Sequence, residues 1–485
     1  MTKPLLIGLD QGSSSTKGIL YDPKNKKILA SERAGIKTRR RAEGNRQFVE
    51  HDPEDILHSV RRVLKRLAAR APARRRLSVG LACQRSSFLF VRAGTLEALT
   101  PVISWQDTRG LELLNALQDK APLVYERTGL YLTPYYMLSK IIWLFEKYNF
   151  GEEARQGTIR LAPLSSYLAA RLTKSDRLLV DPTHAQRTLL LNIDSGDWDL
   201  ALCSAFGVPK PFLPELRETS DDYGTIDLPS RTARLSGMIG DQQGAYWALE
   251  SCANDQPALI NLGTGGFLLL PTGRKPARAK GLLSGILRKE NGRILYCLEG
   301  TVTSIQGALL WLKNAGLLKD TDRFRPPKKG QWGLLPVVSG GFGGLSAPFW
   351  RGDVKVAVNG LHQGNTREDI VLAFLLGLTH LFWEILKPLA GTPFYPNKLT
   401  ASGGLSKSSG LLNILAEYLD LPVRPAENPD LTALGACLAA WPQAKCSIRL
   451  GKPVVPAPSL REEAACYRAR AEAALLALIS DDKPG

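Results

Sequence analysis

Leu5-Leu6-Ile7-Gly8-Leu9-Asp10-Gln11-Gly12-Ser13-Ser14-Ser15-Thr16-Lys17-Gly18-Ile19-Leu20 opens the first half of the chain. Ala258-Leu259-Ile260-Asn261-Leu262-Gly263-Thr264-Gly265-Gly266-Phe267-Leu268-Leu269-Leu270 opens the second. Each stretch reads as an apolar strand, a tight turn of small residues, and a second apolar strand, the pattern of a β-hairpin. Small residues at a hairpin tip let the backbone approach an anion closely and donate N–H and O–H groups to it. One such hairpin is simply a turn. Two of them, one per half, point to a nucleotide held in a cleft between domains. The first also carries Asp10, where the strand runs out into the turn.

The commoner nucleotide motifs are absent. No G-x-x-x-x-G-K-[ST] run occurs, and no G-x-G-x-x-G turn stands between a strand and a helix. At 485 residues the chain is too long for one core and predicts two large domains, 1–236 and 237–485. Its composition, 44% hydrophobic and 22% charged, is that of a globular protein. The net charge of +17 gathers early, in Lys37-Thr38-Arg39-Arg40-Arg41 and from Arg61 through Arg76. No nucleic-acid-binding motif accompanies these runs, and Arg61 to Arg70 alternates with apolar residues as a solvated helix face does, so nucleic acid is not the expected partner. Cysteines 83, 203, 252, 297, 437, 446 and 466 are scattered without a C-x-x-C pair, the usage of reduced thiols in a cytoplasmic protein. Met1-Thr2-Lys3-Pro4 leads directly into the first strand, which leaves no room for a signal peptide. The longest apolar stretch, Ile370 to Trp383, is interrupted by His380 and predicts a buried helix that does not enter a membrane, opened by the first-turn acids Glu368 and Asp369.

Periodicity predicts helices over 55–71, 110–118 and 136–148 and a strand over 77–82 in the first half. In the second it predicts hairpins over 258–296, helices over 303–314, from 368, 408–419 and 432–441, and a strand running into Gly403-Gly404. Strands alternating with helices in two comparable halves predict an α/β protein with a duplicated core.

Asp241 stands in Ile239-Gly240-Asp241-Gln242-Gln243-Gly244-Ala245, at the joint of the two halves. A carboxylate there could be satisfied in the core, cap a helix, or act as a general base. Phosphoryl transfer needs positioning, charge neutralisation and one group to accept a proton. Asp241 for the proton and Asp10 for magnesium meet those needs.

With these residues in place, the sequence resembles the FGGY carbohydrate kinases, and among them the glycerol kinases. The resemblance is carried in order by Asp10-Gln11-Gly12, Phe48-Val49-Glu50-His51-Asp52-Pro53, Gln84-Arg85, Trp105-Gln106-Asp107, Thr128-Gly129-Leu130, Pro134-Tyr135, Arg187 to Ile193 and Leu213-Pro214-Glu215. It continues through Gly240-Asp241-Gln242-Gln243, Gly263-Thr264-Gly265, Leu298-Glu299-Gly300 and Gly403-Gly404. It implies two actin-like (ribonuclease H-like) ATPase domains closing on ATP, magnesium and a small polyol or sugar. It further implies a polyol pocket of Arg85, Trp105, Tyr135, Asp241, Gln242 and Phe267, with Asp241 the catalytic base. Gly12, Ser13, Ser14, Lys17, Gly263 and Thr264 would lie at the phosphates, Asp10 at magnesium, and Gly404 and Ser408 beside adenosine. For Trp105 and Phe267 the alternative is core packing.

Three departures from the family pattern stand out. Ser86 replaces the glutamate that binds glycerol hydroxyls in glycerol kinases, and losing an acceptor disfavours a polyol whose hydroxyl then goes unpaired. Gln306-Gly307 follows where the nucleotide-contacting glycine comes one position earlier, which moves that contact to Gly307. The Gly-rich regulatory loop of bacterial glycerol kinases has no counterpart in 227–234. The expected activity is ATP-dependent phosphorylation of a primary hydroxyl, with glycerol the leading acceptor. The alternatives are a ketopentose or pentitol, or a catalytically weak actin-like regulator; a homo-oligomer is compatible with the reading.

Overall fold

A computed structural model describes residues 3–253, 256–303, 305–319, 324–428 and 430–481. Two six-stranded sheets organise it. In the first, Lys27–Gly35, Ser15–Asp22 and Leu5–Gln11 run antiparallel as a meander, and Leu77–Cys83 and Arg231–Gly240 continue it in parallel. In the second, Arg293–Val302, Gly266–Gly273 and Ala258–Leu262 form the meander, and Leu399–Ser402 and Val423–Pro425 the parallel strands. The order and orientations of these five strands recur, while the sixth, Gly224–Leu228 in one sheet and Leu283–Glu290 in the other, joins opposite edges, so the core is duplicated as expected. Helix Pro53–Ala69 covers the first sheet through Ile56, Val60, Val63 and Leu67, entered through an Asp52 cap on Glu54 N–H.

What joins the halves is a stripe of glycines. Gly8, Gly80 and Gly237 stand side by side on three adjacent strands of the first sheet. Helix Leu431–Ala440 lies directly on them: a Cβ would come within 1.9 Å of the Ala433 carbonyl oxygen at Gly8 and 1.8 Å of the Ala436 oxygen at Gly80. The other face of that helix meets helix Asp241–Glu250 equally closely, Gly435 against the Gly244 carbonyl. Both helices are therefore held between the sheets, in an apolar core running from Leu6 and Ile19 to Leu259 and Leu269.

The structure departs from the sequence expectations in two places. Helix 110–118 shrinks to Leu113–Ala116 and a 3-10 turn Gln118–Lys120, because Gly110 is pressed on the backbone of Ser139 and Leu114 is the buried anchor of the segment. The helix expected from 368 runs Arg367–Leu386, one residue earlier at its start, opened by a Thr366–Asp369 capping box. With its continuation to Leu389 it is long and apolar enough to cross a membrane, but 72% of its most apolar stretch is buried inside the fold.

Candidate active site

Helix Asp241–Glu250 begins at the cleft with Gly240 as its N-cap, so Asp241 is the first helical residue and not the cap. Its side chain is 28% exposed, which also sets aside a core-satisfied carboxylate. It lines a cavity of about 200 Å³ between the two sheets. The Gly240 N–H donates to Thr183 Oγ1 at 2.7 Å, and Thr183 in turn donates to Asp181 at 2.7 Å, which fixes the start of the helix.

Arg85 follows strand Leu77–Cys83 into the same cavity. Its Nε lies 3.5 Å from Asp241 and its Nη1 2.9 Å from Glu299, so it is not a surface charge. Glu299 is buried on the opposite half and also pairs with Arg187 and, at 3.4 Å, with Gln243 Nε2. Burial works to raise the Glu299 pKa, but the guanidiniums of Arg187 and Arg85 outweigh it and hold the carboxyl below its usual range. Two cations on one carboxylate leave net positive charge facing Asp241.

Trp105, Tyr135 and Phe267 line the cavity half-exposed, which favours pocket walls over pure core packing. The Trp105 indole donates to Ser13 Oγ at 2.9 Å, tying the wall to the tip of the first hairpin. Behind the walls lies Lys140, fully buried, whose Nζ donates to the carbonyls of Ser104 at 3.2 Å and Tyr135 at 3.3 Å. Burial lowers its pKa to about 7. Gln242 accepts from Asn261 Nδ2 at 2.8 Å. Ser86 is buried in a left-handed conformation, φ 62°. Thr133 also belongs to the lining, and its buried Oγ1 has no hydrogen-bond partner among the described residues.

Ser13, Gly263 and Thr264 reach this cavity, whereas Asp10, Gly12, Ser14, Lys17, Gly307, Gly404 and Ser408 lie outside its lining. Asp10 sits in the ladder opposite Lys17. Burial raises its pKa to about 7, Lys17 opposes, and Asp241 and Asp430 add to the rise. Hard oxygen donors pressing on one another in this way fit a divalent cation. Among the described residues no group of three or more metal-ligating side chains exists; magnesium, which keeps several waters and takes one or two carboxylates plus substrate phosphates, does not need one. Gly404 is exposed with open space where a side chain would stand, and Gly307 is exposed on helix Ile305–Asn314. Ser408 is buried and accepts from Leu411 N–H as the cap of helix Ser409–Leu419.

Residues 5–242 match the FGGY family of carbohydrate kinases, N-terminal domain, and residues 258–443 its C-terminal domain. The chain belongs to the FGGY carbohydrate kinases. It is thus a phosphotransferase with an alcohol group as acceptor. It is 32% identical to a glycerol kinase of Thermus brockianus over 90% of this chain and 88% of that one. With a glycerol kinase of Methylobacterium nodulans the identity is 33%, over 90% and 89%. Among solved folds it superimposes on Plasmodium falciparum glycerol kinase with ADP at a TM-score of 0.83, with 23% identity over 98% of both chains. Ligand-bound xylulose kinase from Lactobacillus acidophilus gives 0.84, at 20% identity over 98% of this chain and 99% of that one. At those identities the structures establish the shared two-domain fold.

Sequence reading gave no role to four side chains at this FGGY site. Glu299 and Arg187 stand only within quoted motifs, and Lys140 and Asp430 carry no local signal. Glu299 and Arg187 meet partners distant in the chain: Arg85 and Glu299 are 214 positions apart, Arg187 and Glu299 112.

Proposed function

We propose that this kinase transfers the terminal phosphoryl group of ATP to a primary hydroxyl of a small polyol, with glycerol as the leading acceptor. The observation that carries the reading is Asp241, a carboxylate at a helix start facing a cavity walled by Trp105, Tyr135 and Phe267 and set beside Arg85. The acceptor's carbons pack on the aromatic walls, while Arg85 donates to its hydroxyls and Gln242 adds a polar contact. Asp241 takes the proton of the attacking hydroxyl as its oxygen bonds to phosphorus. Gly12, Ser13, Ser14 and Lys17 on one hairpin and Gly263 and Thr264 on the other hold the phosphates, and Gly307, Gly404 and Ser408 border adenosine. Magnesium on Asp10 supplies charge neutralisation when bound. Enclosure between the halves keeps water from competing for the phosphoryl group. Asp241→Asn keeps nucleotide binding and loses about 100-fold or more in turnover; near-normal ADP release with acceptor present overturns the role.

Ser86 and the unpartnered Thr133 hydroxyl favour a second reading, a four- or five-carbon ketose or pentitol whose extra hydroxyl pairs there. The deciding measurement is kcat/KM for glycerol and a ketose panel in wild type and Ser86→Glu. A longer native acceptor predicts a shift of about tenfold towards glycerol in the variant. Preference for glycerol in wild type, merely damaged by Ser86→Glu, leaves the glycerol reading standing.

A further inference from the structure

The helix that starts at the proposed base ends at Glu250, and its C-terminal cap Ser251 is followed by Cys252. Cys446, 194 positions further on, comes to it from beyond helix Leu431–Ala440, and the two sulfurs stand 3.3 Å apart. The pair is locally built. Ser251 Oγ lies 2.7 Å from Cys446 Sγ and 3.6 Å from Cys252 Sγ. Cys446 Sγ also reaches the Ala248 carbonyl at 3.3 Å, and Cys252 Sγ the Cys446 carbonyl at 2.9 Å.

The two thiols differ in a way that divides the labour of oxidation. Cys252 is half-exposed and Cys446 buried behind it. The polar contacts of Cys446 Sγ and Ser251 Oγ with Cys252, and the Lys26 charge, lower the Cys252 pKa despite its burial. Cys446, whose proton is shared with that neighbour and which is itself desolvated, is raised. An accessible thiolate beside a resolving thiol is the arrangement in which oxidation ends in a disulfide and does not climb to the sulfinic acid.

We propose that Cys252 and Cys446 form a reversible oxidation site on this kinase, taking hydrogen peroxide as oxidant. The Cys252 thiolate attacks the distal peroxide oxygen, the O–O bond breaks, and the departing hydroxide takes up the proton lost by Cys252 to leave as water. The resulting sulfenic acid is attacked by the Cys446 sulfur; its proton leaves with the hydroxyl as a second water, and the S–S bond forms. Two thiols are oxidised and one peroxide is reduced to two waters. The bond ties the end of the Asp241 helix to the segment that follows the helix lying on the glycine stripe. It joins two of the pieces packed between the sheets, and the long stretch it closes restricts the unfolded chain.

The test uses the full-length reduced protein, desalted and treated with stoichiometric hydrogen peroxide, followed by intact mass measurement and non-reducing peptide mapping. Wild type and C466S lose two hydrogen atoms and yield one linked peptide pair containing Cys252 and Cys446; C252S and C446S do not. Dithiothreitol restores the mass, and the oxidised form melts on the order of a few degrees higher. A sulfinic acid at Cys252 without a cross-link, a cross-link through exposed Cys466, or no reaction at equimolar peroxide overturns the proposal. Should a serine variant misfold, the wild-type map still locates the bond.

Discussion

The two hairpins share a fold and differ in chemistry. In the first, Asp10 pairs across the ladder with Lys17, and Gly12 N–H closes the turn on the Ser15 carbonyl at 3.0 Å. In the second, Asn261 pairs with Phe267, and Gly263 N–H closes on the Gly265 carbonyl, also at 3.0 Å, in a turn one residue shorter. The charged pair of one copy is thus replaced in the other by an amide and an aromatic. The tips are braced differently as well. Ser13 is gripped by the Trp105 indole, behind which Lys140 fastens two carbonyls, whereas Thr264 is exposed and donates to Gln306 Oε1 at 3.2 Å. Duplication supplied the scaffold twice, and the oppositely charged pair stands on the copy whose tip is braced by Trp105.

The severest way to break that contrast is Asp10→Asn, which makes the first hairpin resemble the second. Loss of a metal-holding carboxylate is expected to lower turnover about 100-fold or more for every acceptor alike, measured as ADP release across the panel. A loss confined to one acceptor would place Asp10 in the polyol pocket instead. The sign of the pH dependence follows from its raised pKa. The metal-free native state holds a proton on Asp10 between the ordinary value of 3.8 and about 7, so its contribution to stability falls as pH rises through that window. Magnesium competes with that proton, and the apparent magnesium affinity drops about tenfold per pH unit below about 7. Titrating magnesium activation at several pH values checks this.

Second in size is Lys140→Met, which removes the brace behind the first tip and leaves the Ser104 and Tyr135 carbonyls without their donor. We expect KM for the acceptor to rise about tenfold with a smaller change in kcat, since Trp105 and Tyr135 position substrate without taking part in proton transfer. The lysine also titrates in the fold. Its pKa is lowered by burial to about 7 from 10.5, so the unfolded chain binds the proton more tightly and wild-type stability from this group rises as pH climbs between those values. The difference in Tm between wild type and Lys140→Met should therefore grow in favour of wild type from pH 7 upward.

How much of this was legible depended on whether a residue's role was local. The hairpins, Asp10 and Asp241 stand out from their neighbours in sequence, in strands that run out into small-residue turns or a helix start, whereas Lys17 and Arg85 enter only through the family resemblance. Glu299 does not stand out: its place between Arg85 and Arg187 exists only once the halves close. Lys140 lies in the helix predicted over 136–148, and nothing in its surroundings in sequence foretells burial with its Nζ on two carbonyls. The glycine stripe was hidden for the same reason. Gly8, Gly80 and Gly237 are unremarkable apart and meaningful only in register, where helix Leu431–Ala440 needs their missing side chains.

The second hairpin gives the two smaller effects. Asn261→Ala removes the 2.8 Å donor to Gln242 Oε1, and one such hydrogen bond, worth about 1 kcal/mol, predicts a loss of about fivefold in kcat/KM. Gln306→Ala should cost least. Its side chain accepts from Thr264 at an exposed site, where water replaces a lost partner at little cost. The backbone bond from Gln306 N–H to the Thr264 carbonyl, 3.1 Å long, survives the substitution. We expect about a twofold rise in KM for ATP, read from initial rates at saturating acceptor, with kcat unchanged. A larger loss, comparable with that of Lys140→Met, would mean that the second tip depends on its side-chain brace as heavily as the first, and the asymmetry between the hairpins would then rest on charge alone.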